Sequence, residues 1–337
     1  HPKYYRWRFL YLLNLLFIEL IYANESYLLM FTNFMNKYNR NYSGSELKER
    51  YNIFIKNLNL IKNDSNLGIS NFMDYSEQEF KEEVGYGCIY DFSKNQASTC
   101  NKLINNSSYT VLPDSIDWRD LNAVTKVKDQ GSCGSCWSFS ATGALEGAWA
   151  IKNNELLSLS EQQLIDCSLS YGNLACKGGL MDNAFEYAID KGMCIETDEP
   201  YEANLESCKV CQPEAYFSGC IDVPEGNQLK LKEAVSNGPV SIAIEADTSV
   251  FQHYTSGIIS SSKCGKNLDH GVLIVGYGIE NEVPYWIVKN SWGEKWGENG
   301  YVRLLRSESE NDEGVCGLAM SASQPIALEK YGFIMEY

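Results

Sequence analysis

The chain has 337 residues, of which 44% are hydrophobic and 21% charged, so it is globular rather than disordered and long enough for one large core or two ordinary ones. A net charge of −16 leaves no basic surplus to neutralise phosphates, which excludes nucleic acid as a partner. The charge is unevenly shared: residues 1–110 carry +1 and residues 111–337 carry −17, the mark of two parts with different jobs and of a second part suited to an acidic compartment.

At the N-terminus, Lys3, Arg6 and Arg8 precede an apolar run from Phe9 to Tyr22, broken by Asn14 and Glu19. A positive flank and a short apolar core predict a signal peptide over 1–23, too short and interrupted for a stable membrane span. Residues 24–111 form a separate front segment. Within it, Phe31, Phe34, Met35 and Tyr38, then Leu47, Tyr51, Phe54, Leu58 and Ile61, recur at helical spacing and predict two amphipathic helices over 26–62. Residues 93–110 lack periodicity and predict an exposed linker. Asn-x-Ser acceptors stand at Asn24, Asn41, Asn63, Asn105 and Asn106, all in the front part, so glycosylation is expected there if the chain enters the secretory lumen.

From Leu112 the texture changes. Helical stretches are predicted near 136–152, 160–166 and 179–191. Alternating or β-branched runs at Val240–Ile244, Gly271–Tyr277, Tyr285–Lys289 and Gly300–Leu304 predict strands. Helices followed by strands make an α part and a β part, with a cleft between them as the natural site. Twelve cysteines fit an oxidising folding compartment. With only three histidines and no compact paired-cysteine groups, a zinc site is not expected, and no metal or organic cofactor is implied.

The chemistry concentrates in Gln130-Gly-Ser-Cys133-Gly-Ser-Cys136-Trp137. Gly131 and Gly134 permit a tight loop, and the stretch from Cys136 onward reads as a buried helix. Cys136 then stands at a helix N-terminus, where the dipole and free N–H groups favour a thiolate and can meet a developing oxyanion. A thiolate nucleophile needs a base. Beyond His1 the candidates are His253, read as a partly buried or surface residue, and His270, at the entry to a buried strand. Asn290 follows another apolar strand, where its carbonyl can orient an imidazole without adding charge.

Cys136, His270 134 residues on and Asn290 154 residues on resemble the papain family, cathepsin L branch. The stretches DQGSCGSCWSFS, GNLACKGGLMDNAF, LDHGVLIVGYG and YWIVKNSWGEKWGENGY carry the likeness over nearly the whole chain. The resemblance implies an α+β, papain-like two-domain fold over 112–337, with a helical left domain and a β-barrel-like right domain. It implies a cysteine endopeptidase made as a zymogen, with mature enzyme beginning near Val111–Pro113. It makes Gln130 the side-chain half of an oxyanion hole and Trp292 the indole that shields the His270–Asn290 bond. Gly178 and Gly179 match backbone that pairs with extended substrate. Leu180, Met181, Ala243, Leu268 and Ser321 match an S2 lining without an acid, implying preference for a hydrophobic P2 residue. Glu46, Arg50, Phe54, Asn57 and Ile61 resemble the ERFNIN pattern of an inhibitory propeptide, with Ser65 in place of the last Asn. Gly68, Phe72 and Asp74 resemble its second motif, with Ser70 where Asn is usual. Acid release through Asp74, Glu77 and Glu79 is the expected switch.

By the same resemblance Cys133 pairs with Cys176, Cys167 with Cys208 and Cys264 with Cys316, leaving Cys136 free. Cys88, Cys100, Cys194, Cys211 and Cys220 stay unassigned: Cys88–Cys100 is one option, and Cys211 competes with Cys208. Implied partners are protein and peptide substrates, the chain's own propeptide and cystatin-like inhibitors of a monomeric enzyme. Lysosome, digestive vacuole and extracellular space are the implied locations. The competing readings are a catalytically inactive papain-like binding protein and another Cys-His enzyme such as an acyltransferase. The first usually loses its nucleophile or base, and the second lacks the propeptide-like stripe. Exopeptidase trimming by an occluding loop would need histidines that the second part lacks. The residues from Ile326 to Tyr337 extend past the usual family end.

Overall fold

The structure is a computed structural model and describes residues 25–85, 100–102, 111–260 and 262–330. The predicted signal peptide, most of the linker, Cys88 and the last seven residues lie outside the described residues. Residues 1–64 and 71–76 make one compact unit, and residues 65–70 with 77–337 make the other.

The front unit is two helices closed by a short loop. Helix α1 spans 25–38 and α2 spans Gly44–Ile61. Their apolar stripes meet as predicted: Phe54 sits against Phe31 and Phe34 at ring-centroid distances of 5.3 and 5.2 Å. The polar members of the α2 stripe hold the loop. Asn57 Nδ2 donates to Met73 O and Tyr75 O at 3.0 and 2.9 Å, and Arg50 donates to Asp74 O at 2.9 Å. The Asp74 carboxylate is fully buried, paired with Arg40 at 3.0 Å and bonded by the Tyr42 hydroxyl. Burial outweighs these partners and raises the Asp74 pKa. A carboxyl raised in the folded state contributes stability in acid and loses it as pH climbs. Asp74 alone therefore has the wrong sign for the expected acid-labile latch.

In the larger unit, residues 65–70 are pinned to the loop 252–256. Gly68 N donates to His253 O (2.8 Å), Thr255 N to Asn66 O (2.9 Å) and Ser70 Oγ to Gln252 O (2.6 Å), with Leu67 bridged antiparallel to Tyr254. A Cβ on Gly68 would meet Thr255 Oγ1 at 2.8 Å, which explains glycine there. A one-turn helix, α3 (Glu77–Phe80), follows.

The residues from 111 onward carry α4 (Cys136–Asn153), α5 (Glu161–Cys167), α6 (Met181–Lys191), α7 (Gln228–Asn237) and the short α8 (Ser249–Gln252). Nine strands form one sheet: β1 (Asn101–Lys102), β2 (Ile116–Asp117), β3 (Phe217–Asp222), β4 (Val240–Ile244), β5 (Ile258–Ile259), β6 (His270–Glu280), β7 (Val283–Lys289), β8 (Tyr301–Leu305) and β9 (Ala322–Ala327). Their order is β1-β3-β9-β4-β6-β7-β8-β5, with β2 on β6. Helix α4 is the hub, buried on nearly every face and packed on β4, β6 and β9. Gly143 and Gly147 allow this: a Cβ at Gly143 would meet Leu273 Cδ2 at 2.7 Å, and one at Gly147 would meet Pro239 Cγ at 2.6 Å. The helix–sheet architecture expected over 112–337 is present. The linker is not wholly exposed: Cys100 is buried because it is bonded to Cys220 of β3. The extension is partly built in, since Ile326 belongs to β9 and Lys330 pairs with Glu155 at 2.7 Å.

Candidate active site

The loop before α4 is fixed by covalent and backbone bonds. Cys133 is joined to Cys176, and Gly134 N donates to Cys176 O at 3.1 Å. Cys136 is the first residue of α4 and is buried. From the opposite side comes β6, whose register sets Ala243 against Gly271 and Ile244 against His270. Gly271 N–H points at Cys136 Sγ, 3.1 Å away. The preceding side chain, His270, places Nε2 2.7 Å from Asn290 Oδ1 and leaves Nδ1 with no hydrogen-bond partner among the described residues. Asn290 is held by Gly300 O and Ser291 N, and Trp292 stacks on the imidazole at 4.8 Å between centroids. Thus Cys136, His270, Asn290 and Trp292 converge.

Gln130 adjoins them. Its Nε2 donates to Cys133 O at 3.1 Å, and its Oε1 accepts from Ser291 Oγ at 2.6 Å. Tyr201 OH donates to Gln130 O at 2.6 Å and meets Ser135 Oγ at 2.7 Å. Ser291, which orients this amide, and Tyr201, which holds the Gln130 backbone, went unnoticed in the sequence. Ser291 stands beside Asn290 in KNSWG and could have been suspected from that position alone. Nothing in sequence marks Tyr201. Phe80 of the front segment sets its ring edge on Trp292 at 5.7 Å, a contact the sequence does not show.

The other predicted residues fall into two groups. Gly178 and Gly179 follow Cys176, and a Cβ on Gly179 would lie 2.6 Å from both Trp137 Cδ2 and Asn173 Oδ1. Asn173 also takes the Leu180 N–H at 2.9 Å, just before Met181 opens α6. Ala243 N donates to Ser321 O at 3.1 Å, placing Ser321 beside the strand that abuts Gly271. Leu268 precedes His270 by two residues and lies near Gly317. A small cavity of about 20 Å³, room for about one water, lies along α4, lined by Thr142, Glu146, Glu161, Leu273 and Lys289 among others.

Cys136 differs from expectation in one respect. Its sulfur is disulfide-bonded rather than free. The three predicted disulfides are present, and Cys194–Cys211 removes the competition for Cys167. Cys100 pairs with Cys220, not Cys88.

Both histidines of this unit are buried without charge. Burial pushes His270 down to about 4 against the pull of its Asn290 bond, and pushes His253 down to about 4. His253 is fully buried, contrary to the sequence reading, and both ring nitrogens lack partners among the described residues. An imidazole with a depressed folded pKa gives stability above about pH 6.5 that is lost as pH falls through about 4. The precursor is therefore expected to weaken in acid. Replacing His253 by Leu should recover roughly 2 kcal/mol of this loss at pH 4.5 relative to pH 7, read from denaturant midpoints at both values. Equal acid sensitivity in the variant would refute this.

The comparisons agree with the geometry. The papain family cysteine protease profile matches residues 112–326, and the cathepsin propeptide inhibitor domain matches residues 31–80. This chain belongs to the papain family. Cathepsin L of Sarcophaga peregrina is 42% identical over 309 residues, covering 86% of this chain and 90% of that one. The Arabidopsis thaliana proteins named probable cysteine protease RD21C and RD21B are 44% and 45% identical, and the chain spans 67% and 63% of their lengths. The proform crystal structure of the ragweed pollen allergen Amb a 11 matches with a TM-score of 0.81 at 37% identity, covering 90% of this chain and 95% of that one. The chain is a cathepsin L-like cysteine protease precursor carrying its propeptide inhibitor domain. Its five disulfides among the described residues fit folding in an oxidising compartment.

Proposed function

We propose that the mature enzyme is an endopeptidase in which Cys136 attacks the substrate carbonyl and His270 moves the proton. The observation that carries this is the approach of Gly271 N–H to Cys136 Sγ, with the adjacent His270 fixed through Nε2 on Asn290 and its Nδ1 left open. Once the sulfur is reduced and uncovered, it lies at a helix N-terminus beside an imidazole, which favours a thiolate–imidazolium pair. The thiolate adds to the carbonyl carbon and the electron pair moves onto oxygen. Backbone N–H at the start of α4 and the Gln130 amide would stabilise that charge. His270 then protonates the departing amine, leaving a thioester. Water, deprotonated by His270, releases the acid and restores the thiol. Trp292 covers the His270–Asn290 bond and keeps competing water from it.

Leu180, Met181, Ala243, Leu268 and Ser321 bring no acid to the S2 subsite, so a hydrophobic P2 residue is favoured. The front segment inhibits by occupying the cleft until it is cut near Val111–Pro113, and Phe80 on Trp292 is its contact beside the catalytic imidazole. A secretory route to a lysosome, digestive vacuole or the outside follows from this reading, as does inhibition of the monomer by cystatin-like proteins.

The test is peptide cleavage by reduced, matured enzyme with Leu, Phe or Arg at P2 and Arg at P1. We expect kcat/KM for Leu and Phe to exceed that for Arg at least about tenfold, because an apolar subsite leaves a guanidinium unpaired. Equal rates would remove the P2 assignment. Absence of cleavage, with no thiol-directed epoxide found on Cys136, would remove the site assignment.

A further inference from the structure

We infer that cutting the chain at the prosegment boundary does not free the prosegment, because the disulfide Cys100–Cys220 keeps it covalently attached to the peptidase. This rests on the proposed cut near Val111–Pro113. Cys100 lies upstream of that cut and Cys220 downstream, 120 residues apart in sequence. The bond does not stand alone. The residues after Cys100 form β1, with Asn101 beside Ile221 and Lys102 beside Asp222, parallel to β3 on the edge of the sheet. Cys100 is 6% exposed and Cys220 2% exposed, within the core that includes Trp149 and Phe217. A buried bond flanked by paired backbone is poorly accessible to an attacking thiolate, so it should outlast mild reduction that reaches exposed disulfides.

The consequence concerns inhibition. An inhibitor released by proteolysis is lost by dilution. One held by a covalent tether stays near its site at an effective concentration on the order of millimolar, whatever the enzyme concentration. A single cut would then give a two-chain enzyme that is still restrained. Once the Cys136 sulfur is reduced, full release needs one of two further events. The first is a second cut between the inhibitory helices and Cys100. The second is reduction by a dithiol, whose two electrons convert the cystine to two thiols while the dithiol becomes a disulfide.

The test uses the full precursor. A digest with trypsin and a glutamyl endopeptidase without reductant should contain residues 95–102 linked to residues 215–225, and reduction should separate them. Because Cys136 is itself disulfide-bonded, the mass is read in a Cys88→Ser background, where the five described disulfides leave Cys136 no cysteine to pair with. After cutting near residue 111 by a helper protease, denatured Cys88→Ser should keep the extra mass on the peptidase chain until reduced. Cys88→Ser/Cys100→Ser should lose that mass without reductant. Activity of once-cut Cys88→Ser/Cys100→Ser should rise on 100-fold dilution, whereas that of Cys88→Ser should not. Failure to find the linked peptide, or a Cys88→Ser peptidase chain free of added mass before reduction, overturns the inference. If the double variant does not fold, the digest and the mass of Cys88→Ser still decide it. The digest does not depend on activity, so its failure is distinct from failure of the protease reading, which would appear as fully trimmed and reduced enzyme that cleaves no peptide.

Discussion

His270→Ala should lower kcat/KM of the matured, reduced enzyme by about 10⁴-fold or more. An ordinary cysteine titrates near 8.5, so at mildly acid pH only a small fraction is thiolate. In the proposed site the imidazole beside Cys136 takes that proton and later donates it to the leaving amine. Removing it costs both the thiolate population and the acid, and general acid–base transfer alone is worth about 10²–10⁴-fold. The epoxide readout separates the two. Wild-type Cys136 should label well below pH 7, whereas the variant should label only as pH nears the ordinary thiol range. A variant keeping more than a hundredth of wild-type activity, or labelling with an unchanged pH profile, would defeat the assignment. The variant must be matured by a helper protease, since its own processing would also fail. In the precursor the imidazole is neutral, held down to about 4 by burial and without a partner at Nδ1. Maturation should therefore change the protonation state of His270 as well as uncover it, and its ring resonances should titrate differently before and after the cut.

Much of this site was legible because its chemistry sits where periodicity and glycine make the backbone predictable. Helix α4 and strands β4, β6 and β7 follow from apolar runs, and they bring Cys136, His270 and Asn290 to the same place. Of the five strands that the sequence did not show, β3 and β9 are the longest. Strand β3 reads FSGCID, with Gly and Ser breaking any alternation, and it forms by packing between β1 and β9. Strand β9 contains Pro325, which argues against a central strand. Pro325 is tolerated because β4 pairs only with its start, at Ala322 and Ser323, so the proline faces β3 alone. Disulfide partners of this kind cannot be read from sequence, which is why Cys100 stayed unassigned there. His253 was misread for a related reason: polarity suggests surface, and only the packing of the loop 252–256 shows that it is enclosed.

The second large effect is on stability. Lys128→Met should destabilise the precursor by about 3–5 kcal/mol, whereas Lys289→Met should cost less than about 1 kcal/mol. Lys289 is buried and the Lys128 side chain nearly so, beside the same carboxylates, and sequence alone would put the lysines on the surface. Lys128 Nζ lies 2.7 Å from Glu161, 3.3 Å from Glu146 and 3.2 Å from Glu196. These carboxylates overcome its own desolvation and raise its pKa, so its stabilising charge is fully present at and below the ordinary lysine range. Glu161 is fully buried and its pKa is raised, so without Lys128 it must either stay charged and unpaired or take up a proton. Thr142 Oγ1 at 2.6 Å cannot replace a cation. Lys289 is different: among the described residues its ammonium hydrogen-bonds to Thr125 Oγ1 alone, at 3.1 Å, and burial pushes it down to about 8. A lysine depressed in this way is a burden below pH 8, and stability rises as pH passes from about 8 to about 10.5. Methionine keeps its stem and removes that slope. The decisive measurement is the pair of variants in denaturant at pH 7, together with Lys128→Met/Glu161→Gln. If the loss at Lys128 comes from a stranded carboxylate, neutralising Glu161 should return a large part of it. If both lysines cost the same, or the double variant recovers nothing, the loss comes from packing around α4 rather than from the unpaired charge.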